Sequence, residues 1–313
     1  MTRLFGALAA ALFVIPAHAA DPIKMVVPFA AGGPVDALAR IVAAEIGPRL
    51  QSDVVVENRG GAGGLLAVEQ VARSAPDGRT ILFASVGAFV ITNALKPQSG
   101  YDQLKTFAPV ARIGAAPTLF IVKADAPFKT MAELIAKAKT DSKMSYGSAG
   151  AGTTMHIAAE QLNVSAGTKI THVPYRGIAP ALNDIMGGHI DFLNADITVL
   201  YPLVQQGTIR ALAVAGTQRS SLLPNVPTAQ ELGYKDVYME NWYGALVPAA
   251  TPPDVVAKLE AAVMDAVKAP EVWAKISANG VYAPQDAKTF RAQIEKDVAY
   301  WGAEIKKLGI TAE

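Results

Sequence analysis

The sequence predicts an α/β fold in two lobes with a ligand cleft between them, and three observations carry that expectation. Short apolar strands alternate with helices of 3.6-residue periodicity through the first third of the chain. The same run of strand, glycine-rich turn and helix returns in the middle. A later strand is then placed to cross back, so the chain leaves one lobe and re-enters it.

In order, Ile23 to Phe29 reads as the first strand and Pro34 to Leu50 as the first helix, with Leu38, Ile41, Val42 and Ile46 at helical spacing. Val54-Val55-Val56 is almost continuously apolar, as in a strand buried in a parallel sheet. Asn58-Arg59-Gly60-Gly61-Ala62-Gly63-Gly64 turns it into a helix ending near Ser74, and Pro76-Asp77-Gly78 is a turn. Thr80 to Ala84 is the third strand, followed by Ser85-Val86-Gly87. Ala111 to Val122 reads as a strand leaving the lobe, interrupted at Ala116-Pro117. Thr130 to Thr140 is a helix, capped by Thr130 with Glu133 completing a capping box. Met144 to Gly147 is a strand that runs into the second glycine-rich turn. Lys169 to Pro174 is a strand, Ile178 to Met186 a helix, His189 to Leu193 a strand, and Arg210 to Ala215 the strand that crosses back. Leu223 to Thr228 is a proline-rigidified loop and Trp242 to Val247 a further strand. Three helices finish the chain, Pro252–Lys268, Glu271–Asn279 and Ala287–Leu308. The resulting division is a leader over 1–19, a discontinuous first domain of 20–121 with 218–313, and a second domain of 122–217. Two lobes joined by two crossings is the architecture of proteins that close about a hinge. Sites in such sheets lie beyond the carboxyl ends of the strands.

The leader has the order of a secretory signal peptide: Arg3, an apolar run from Leu4 to Pro16, then Ala17-His18-Ala19 as a small-residue cleavage site. The run is shorter than the ~20 apolar residues a bilayer span needs, and the mature chain is expected to be exported and to begin at Ala20. Removing Arg3 balances the 28 basic residues against the 27 acidic ones. A neutral chain lacks the basic footprint of a nucleic-acid binder. With no cysteine, disulfides, thiolate catalysis and cysteine metal sites are excluded. His156, His172 and His189 have no metal-like spacing, and no cofactor fingerprint is present, so none is expected.

The chemistry concentrates in the two glycine-rich turns. Phe29-Ala30-Ala31-Gly32-Gly33 opens the first helix, and Ser148-Ala149-Gly150-Ala151-Gly152-Thr153-Thr154 opens the corresponding later one. Such turns present unpaired N–H groups at the positive end of a helix dipole and attract anions. Gly32 and Gly33 let the backbone approach closely, and Pro34 suits the first helical position. Asp36 reads as structural, since its charge would repel an anion. Ser148, Thr153 and Thr154 can donate to a carboxylate or cap the helix. Neither turn holds Lys or Arg. Arg176 is the nearest counter-charge, with an exposed supporting role as its alternative; Tyr175 is divided between cleft wall and core. Ser85 is placed to line the cleft. Gly60 to Gly64 lacks the Lys-Ser/Thr of a phosphate loop and reads as close helix–strand packing. His156, in the first helical turn after the second glycine-rich turn, reads as a buried or capping histidine, with reach to the ligand as its alternative.

Taken together, Val27-Pro28-Phe29-Ala30-Ala31-Gly32-Gly33-Pro34-Val35-Asp36, Val56 to Gly64, Pro76-Asp77-Gly78-Arg79-Thr80, Tyr146 to Thr153, His172-Val173-Pro174-Tyr175-Arg176-Gly177, Leu212-Ala213-Val214, Leu223 to Thr228 and Pro248-Ala249-Ala250-Thr251-Pro252 resemble the substrate-binding component of tripartite tricarboxylate transporters, the Bug family of periplasmic receptors. The resemblance covers essentially the whole mature chain. It implies a periplasmic-binding-protein fold of the Venus flytrap, type II-like kind. It also implies a receptor, not an enzyme, that captures an organic acid and delivers it to inner-membrane permease subunits. Family ligands include di- and tricarboxylates, aromatic acids, acidic amino acids and a few neutral compounds. After His189-Ile190-Asp191-Phe192-Leu193 this chain has Asn194-Ala195-Asp196 where many members carry an aromatic–acidic–polar run. That turn is expected to face the cleft, so Asn194 and Asp196 join the candidate set and the ligand cannot be copied from a relative. The expectation is a monomer that binds a small dicarboxylate, aliphatic or aromatic. An exported enzyme, or a receptor coupled to a sensor, on the same scaffold is the alternative.

Overall fold

The computed structural model describes residues 21–96 and 101–310; the leader expected over 1–19 lies outside the described residues. The elements run β1 (Ile23–Val27), α1 (Pro34–Leu50), β2 (Val54–Asn58), α2 (Leu65–Ala72), β3 (Thr80–Ser85), α3 (Thr92–Leu95), α4 (Gln103–Thr106), β4 (Phe107–Lys123), α5 (Met131–Ala138), β5 (Ser145–Ser148), α6 (Thr154–Ala166) and β6 (Thr171–Pro174). They continue with α7 (Ile178–Gly187), β7 (Phe192–Asp196), α8 (Ile197–Gln205), β8 (Ile209–Val214), β9 (Glu240–Pro248), α9 (Pro253–Lys268), α10 (Pro270–Ser277), β10 (Gln285–Asp286) and α11 (Ala287–Leu308).

The strands follow the order β2-β1-β3-β9-β4-β7-β5-β6, with β8 and β10 also on β4. β1, β2 and β3 are parallel at one end, and β5, β6 and β7 are parallel at the other. Between them β9 and β4 run antiparallel. β4 belongs to both halves: Phe107 to Pro117 pairs with β9, and Thr118 to Lys123 with β7 and β8. The interruption expected at Ala116-Pro117 is therefore a change of partner inside one continuous strand. Proline, lacking an N–H, suits a position where one ladder ends and another begins. The return runs from β8 through Ala215, whose N–H donates to Thr118 O and whose O accepts from Met239 N–H, and then into β9.

Alternate strand residues feed cores on the two faces. Met25, Val27 and Phe83 pack under α1 and α9 with Val42, Ile46 and Val263, while Val26 and Leu82 face the other way. An aromatic layer closes the second core: Phe89 meets Phe107 edge-on with ring centroids 5.3 Å apart, and Trp242 meets Phe290 at 4.9 Å.

Three expectations need correction. Val54-Val55-Val56 forms β2, but at the sheet edge, where Val55 is 52% exposed; its valines reflect strand propensity, not burial on both faces. The strand expected at His189 to Leu193 begins at Phe192, because Gly188 (φ +75) ends α7 in the left-handed conformation and His189 N–H donates back to Asp184 O. Asn194-Ala195-Asp196 is thus the last part of β7, not a turn beyond it. Past Ser85, Gly87 to Ile91 makes a buried π-helical turn that runs into α3.

Candidate functional site

The βα turns of both halves face one cavity of about 860 Å³, within the range of small-molecule sites. One wall is Pro28 to Val35 with Gly60 to Gly64, Ser85, Gly87, Thr92, Leu95 and Lys96. The opposite wall is built from Ala149 to Ala151, Thr153 to Met155, Pro174 and Arg176 to Pro180, and Asp196 and Asn241 form the floor where the strands cross.

The first turn is held from behind by Asp36. Its Oδ2 accepts from Gly32 N–H at 2.9 Å and Arg40 Nε at 3.1 Å. Its Oδ1 accepts from Asn58 Nδ2 at 2.9 Å and lies 3.0 Å from Arg40 Nη2. Asn58 Nδ2 also donates to Phe29 O at 3.0 Å. Burial alone would raise the Asp36 carboxyl, but the bonds from Arg40, Gly32 and Asn58 outweigh it and hold it below its ordinary value. Asp36 is structural, and it occupies the Gly32 N–H. Gly32 contributes a left-handed φ of +87° that L side chains rarely adopt. Pro34 at the helix start has no N–H, so the groups without a protein acceptor among the described residues are the N–H groups of Gly33, Val35 and Asp36.

The second turn is held by histidines. His156, two residues into α6, accepts from Gly152 N–H through Nδ1 at 3.0 Å. Burial and the neighbouring His172 push its pKa down to about 4, which keeps that nitrogen an acceptor. The rings of His156 and His172 stack at 4.0 Å, and Tyr146 stacks on His172 at 5.0 Å. Ser148 Oγ lies 2.6 Å from His172 Nε2 and accepts from Gly150 N–H at 3.1 Å. Thr153 donates through Oγ1 to Gly150 O at 2.8 Å. The N–H groups of Thr154, Met155 and His156 at the start of α6 have no protein acceptor among the described residues. The two helix N-termini therefore present free donors across one cavity.

Of the candidate residues, Phe29, Ala31, Gly32, Gly33, Ser85, Gly150, Thr153, Thr154, Arg176 and Asp196 line the cavity. Ser148, Gly152, Tyr175 and Asn194 do not. Ser148 is fully buried in its bonds to His172 and Gly150, and Gly152 turns its N–H to His156. Tyr175 donates its hydroxyl to Asp184 at 2.5 Å and backs the turn, where a Cβ on Gly147 would approach its ring to 3.2 Å. Asn194 is fully buried within β7. Gly60 to Gly64 packs as closely as expected, since a Cβ on Gly64 would stand 2.6 Å from Ala88, but it also walls the cavity. The location of that turn beyond the carboxyl end of β2, beside β1, was the available signal. Lys96 and Asn241 were missed. Lys96 follows helical turns that the sequence does not announce, and Asn241 lies a residue before the expected start of β9.

Arg176 and Lys96 are the cations on the cavity wall, and neither forms an ion pair among the described residues. Phe29, Val35, Leu95, Met155 and Ile178 supply apolar wall between the donors. The arrangement can hold an anion with a carbon body by neutral donors and two positive side chains. Among the described residues no cluster suited to a metal ion occurs, and no helix is long and apolar enough to cross a membrane.

Comparison with known proteins places this chain among solute receptors. The family model described as tripartite tricarboxylate transporter family receptor matches residues 38–310. Among solved structures, MatC from Rhodopseudomonas palustris with bound malate is 30% identical with a TM-score of 0.85, covering 91% of this chain and 98% of that one. Rpa4515 of the same organism, solved with adipate, is 29% identical with a TM-score of 0.87, over 93% and 98%. The periplasmic binding protein BugD is 33% identical with a TM-score of 0.86, over 93% and 99%.

Proposed function

The chain belongs to the family of tripartite tricarboxylate transporter receptors, and from that premise we propose that its cleft grips an organic acid of roughly four to nine carbons between the N-termini of α1 and α6. It is a two-lobed solute-binding receptor for carboxylates, not an enzyme. The observation that carries the reading is the pair of opposed donor sets: Gly33 and Val35 N–H on one wall, Thr154 and Met155 N–H on the other. Each set sits at a positive dipole end, where a carboxylate is stabilised. The ligand touches both walls only when they approach, so binding shifts the population toward a closed form. The moving bodies are taken as 20–121 with 218–313 and 122–217. Malate in MatC and adipate in Rpa4515 are acids of the size this cavity accepts. The chain acts as an exported monomer, cleaved before Ala20, that passes its cargo to inner-membrane permease subunits.

A thermal-shift screen across aliphatic, hydroxylated and aromatic acids tests the reading. At least one di- or tricarboxylate is expected to raise the melting temperature and to lose that effect when a carboxylate is converted to an amide. A screen in which amides and acids act alike, or no acid acts, rejects it.

A further inference from the structure

The floor of the cavity has a chemistry unlike its walls. Asp196 and Asn241 are 2% and 4% exposed, and Asn241 Nδ2 donates to Asp196 Oδ2 at 3.0 Å. The second carboxylate oxygen of Asp196, Oδ1, and the amide oxygen of Asn241, Oδ1, have no protein partner among the described residues, and both residues form part of the cavity wall. Ser85, which stands opposite Tyr243 in the β3–β9 pairing, lines the cavity beside them. The Tyr243 hydroxyl faces Asp196 and Asn241 but makes a hydrogen bond of good geometry to neither. Thr118 is paired with Asp196 across the β4–β7 ladder, and its Oγ1 is likewise unbonded. No Lys or Arg side chain pairs with Asp196 among the described residues. Of these open atoms, the two on cavity-lining residues, Asp196 Oδ1 and Asn241 Oδ1, are acceptors, and the first belongs to an acidic group whose burial pushes its carboxyl up to about 6.

Buried acceptors are normally bonded, and leaving them unmade is costly. An unsubstituted dicarboxylate at neutral pH offers no donor, and its charge would face Asp196 in a medium of low dielectric. A hydroxyl or an ammonium on the carbon body offers the missing donor. We propose that Asp196 and Asn241, with Ser85, form a subsite that reads a hydrogen-bond donor on the ligand and so selects hydroxy- or amino-substituted carboxylates over the parent acids. The proposal rests on the carboxylate-receptor reading above. The walls recognise acid groups, and the floor recognises what lies between them.

Calorimetric titration of two matched series tests it: succinate, malate and aspartate, then glutarate, 2-hydroxyglutarate and glutamate. In the wild type at least one substituted acid is expected to bind tenfold or more tighter than its parent. Asp196→Asn is expected to shrink that preference at least tenfold while the parent acid binds as well or better. Ser85→Ala, which removes only a hydroxyl, is expected to shrink it severalfold and guards against a folding defect in Asp196→Asn. An amino acid that wins in the wild type and loses most in Asp196→Asn identifies an ammonium; a hydroxy acid that does so identifies a hydroxyl. Parents that bind the wild type as tightly as both derivatives overturn the subsite and leave the receptor reading intact. Equal weakening of every acid by Asp196→Asn also overturns it, since a purely structural role has that signature. If no acid in either series titrates, the subsite falls, and the receptor reading falls with it only if the wider thermal-shift screen also finds no acid.

Discussion

Replacing Asp36 by Asn tests whether the first turn is organised by an acceptor with no donor of its own. Both Asp36 oxygens are approached only by donors: Gly32 N–H and Arg40 Nε on one, Asn58 Nδ2 and Arg40 Nη2 on the other. An amide must turn its NH2 toward one of these pairs, whichever way it is rotated. Asn58 cannot flip to compensate without losing its bond to Phe29 O. Two bonds to a charged group are then lost, at about 1.5–3 kcal/mol each, with part recovered by water on the exposed side. A net loss of about 3 kcal/mol is expected at pH 7. The comparison variant is Arg40→Gln: Arg40 is 54% exposed, so its ion pair with Asp36 contributes about 1 kcal/mol or less. Urea unfolding gives the stabilities, and titration with a binding diacid gives the affinities, where Asp36→Asn is expected to lose tenfold or more because Phe29 to Gly32 is no longer held. The Asp36 contribution should be full above the unfolded carboxyl value near 3.9 and fade as pH falls through its lower folded value. An Asp36→Asn protein within about 0.5 kcal/mol of wild type, binding the diacid normally, would refute the reasoning.

Other outcomes follow from the same geometry. Gly32→Ala meets open space and only the φ of +87°, so it should cost about 1 kcal/mol of stability, whereas Gly152→Ala also drives a Cβ to 2.3 Å from Leu95 Cδ1 and should cost about 2; urea midpoints of the two variants compare them. His156, folded near 4 against 6.5 unfolded, binds fewer protons folded than unfolded across that window. Its stability contribution is therefore full above 6.5 and falls as pH drops, by about 2 kcal/mol between pH 7 and pH 5. His156→Asn, whose amide oxygen can still accept from Gly152, should lose less over the same interval, and parallel urea curves for the two proteins would contradict that role. Carboxylate-to-amide conversion at either end of a bound diacid should weaken it at least tenfold, read by calorimetry.

The ends of α1 and α11 were legible to the residue because their punctuation is local. Pro34 opens α1, while Asp286 caps α11 through Thr289 N–H and Gly309 (φ +65) closes it. The first turn was equally readable, since Asp36 lies four residues after the Gly32 whose N–H it accepts. What was not legible arises from contacts distant in sequence. The stacking of His172 on His156 follows from the pairing of Tyr146 with His172 between β5 and β6. The placement of Asp196 beside Asn241 follows from β4 holding β7 and β9 on successive stretches. The slip at β7 had a local cause, the left-handed Gly188, but Gly187-Gly188 does not reveal which glycine ends the helix. Pro202 inside α8 and the π-helical turn before α3 break the periodic patterns by which helices are recognised.

The most direct measurement is a crystal structure of the protein with the tightest acid from the screen. One carboxylate is expected within hydrogen-bond distance of Gly33 and Val35 N–H, and the other end of the ligand against Thr154 and Met155 N–H, with the two walls drawn together. An acid lodged outside this cleft, or held by one wall while the walls stay apart, would contradict the account.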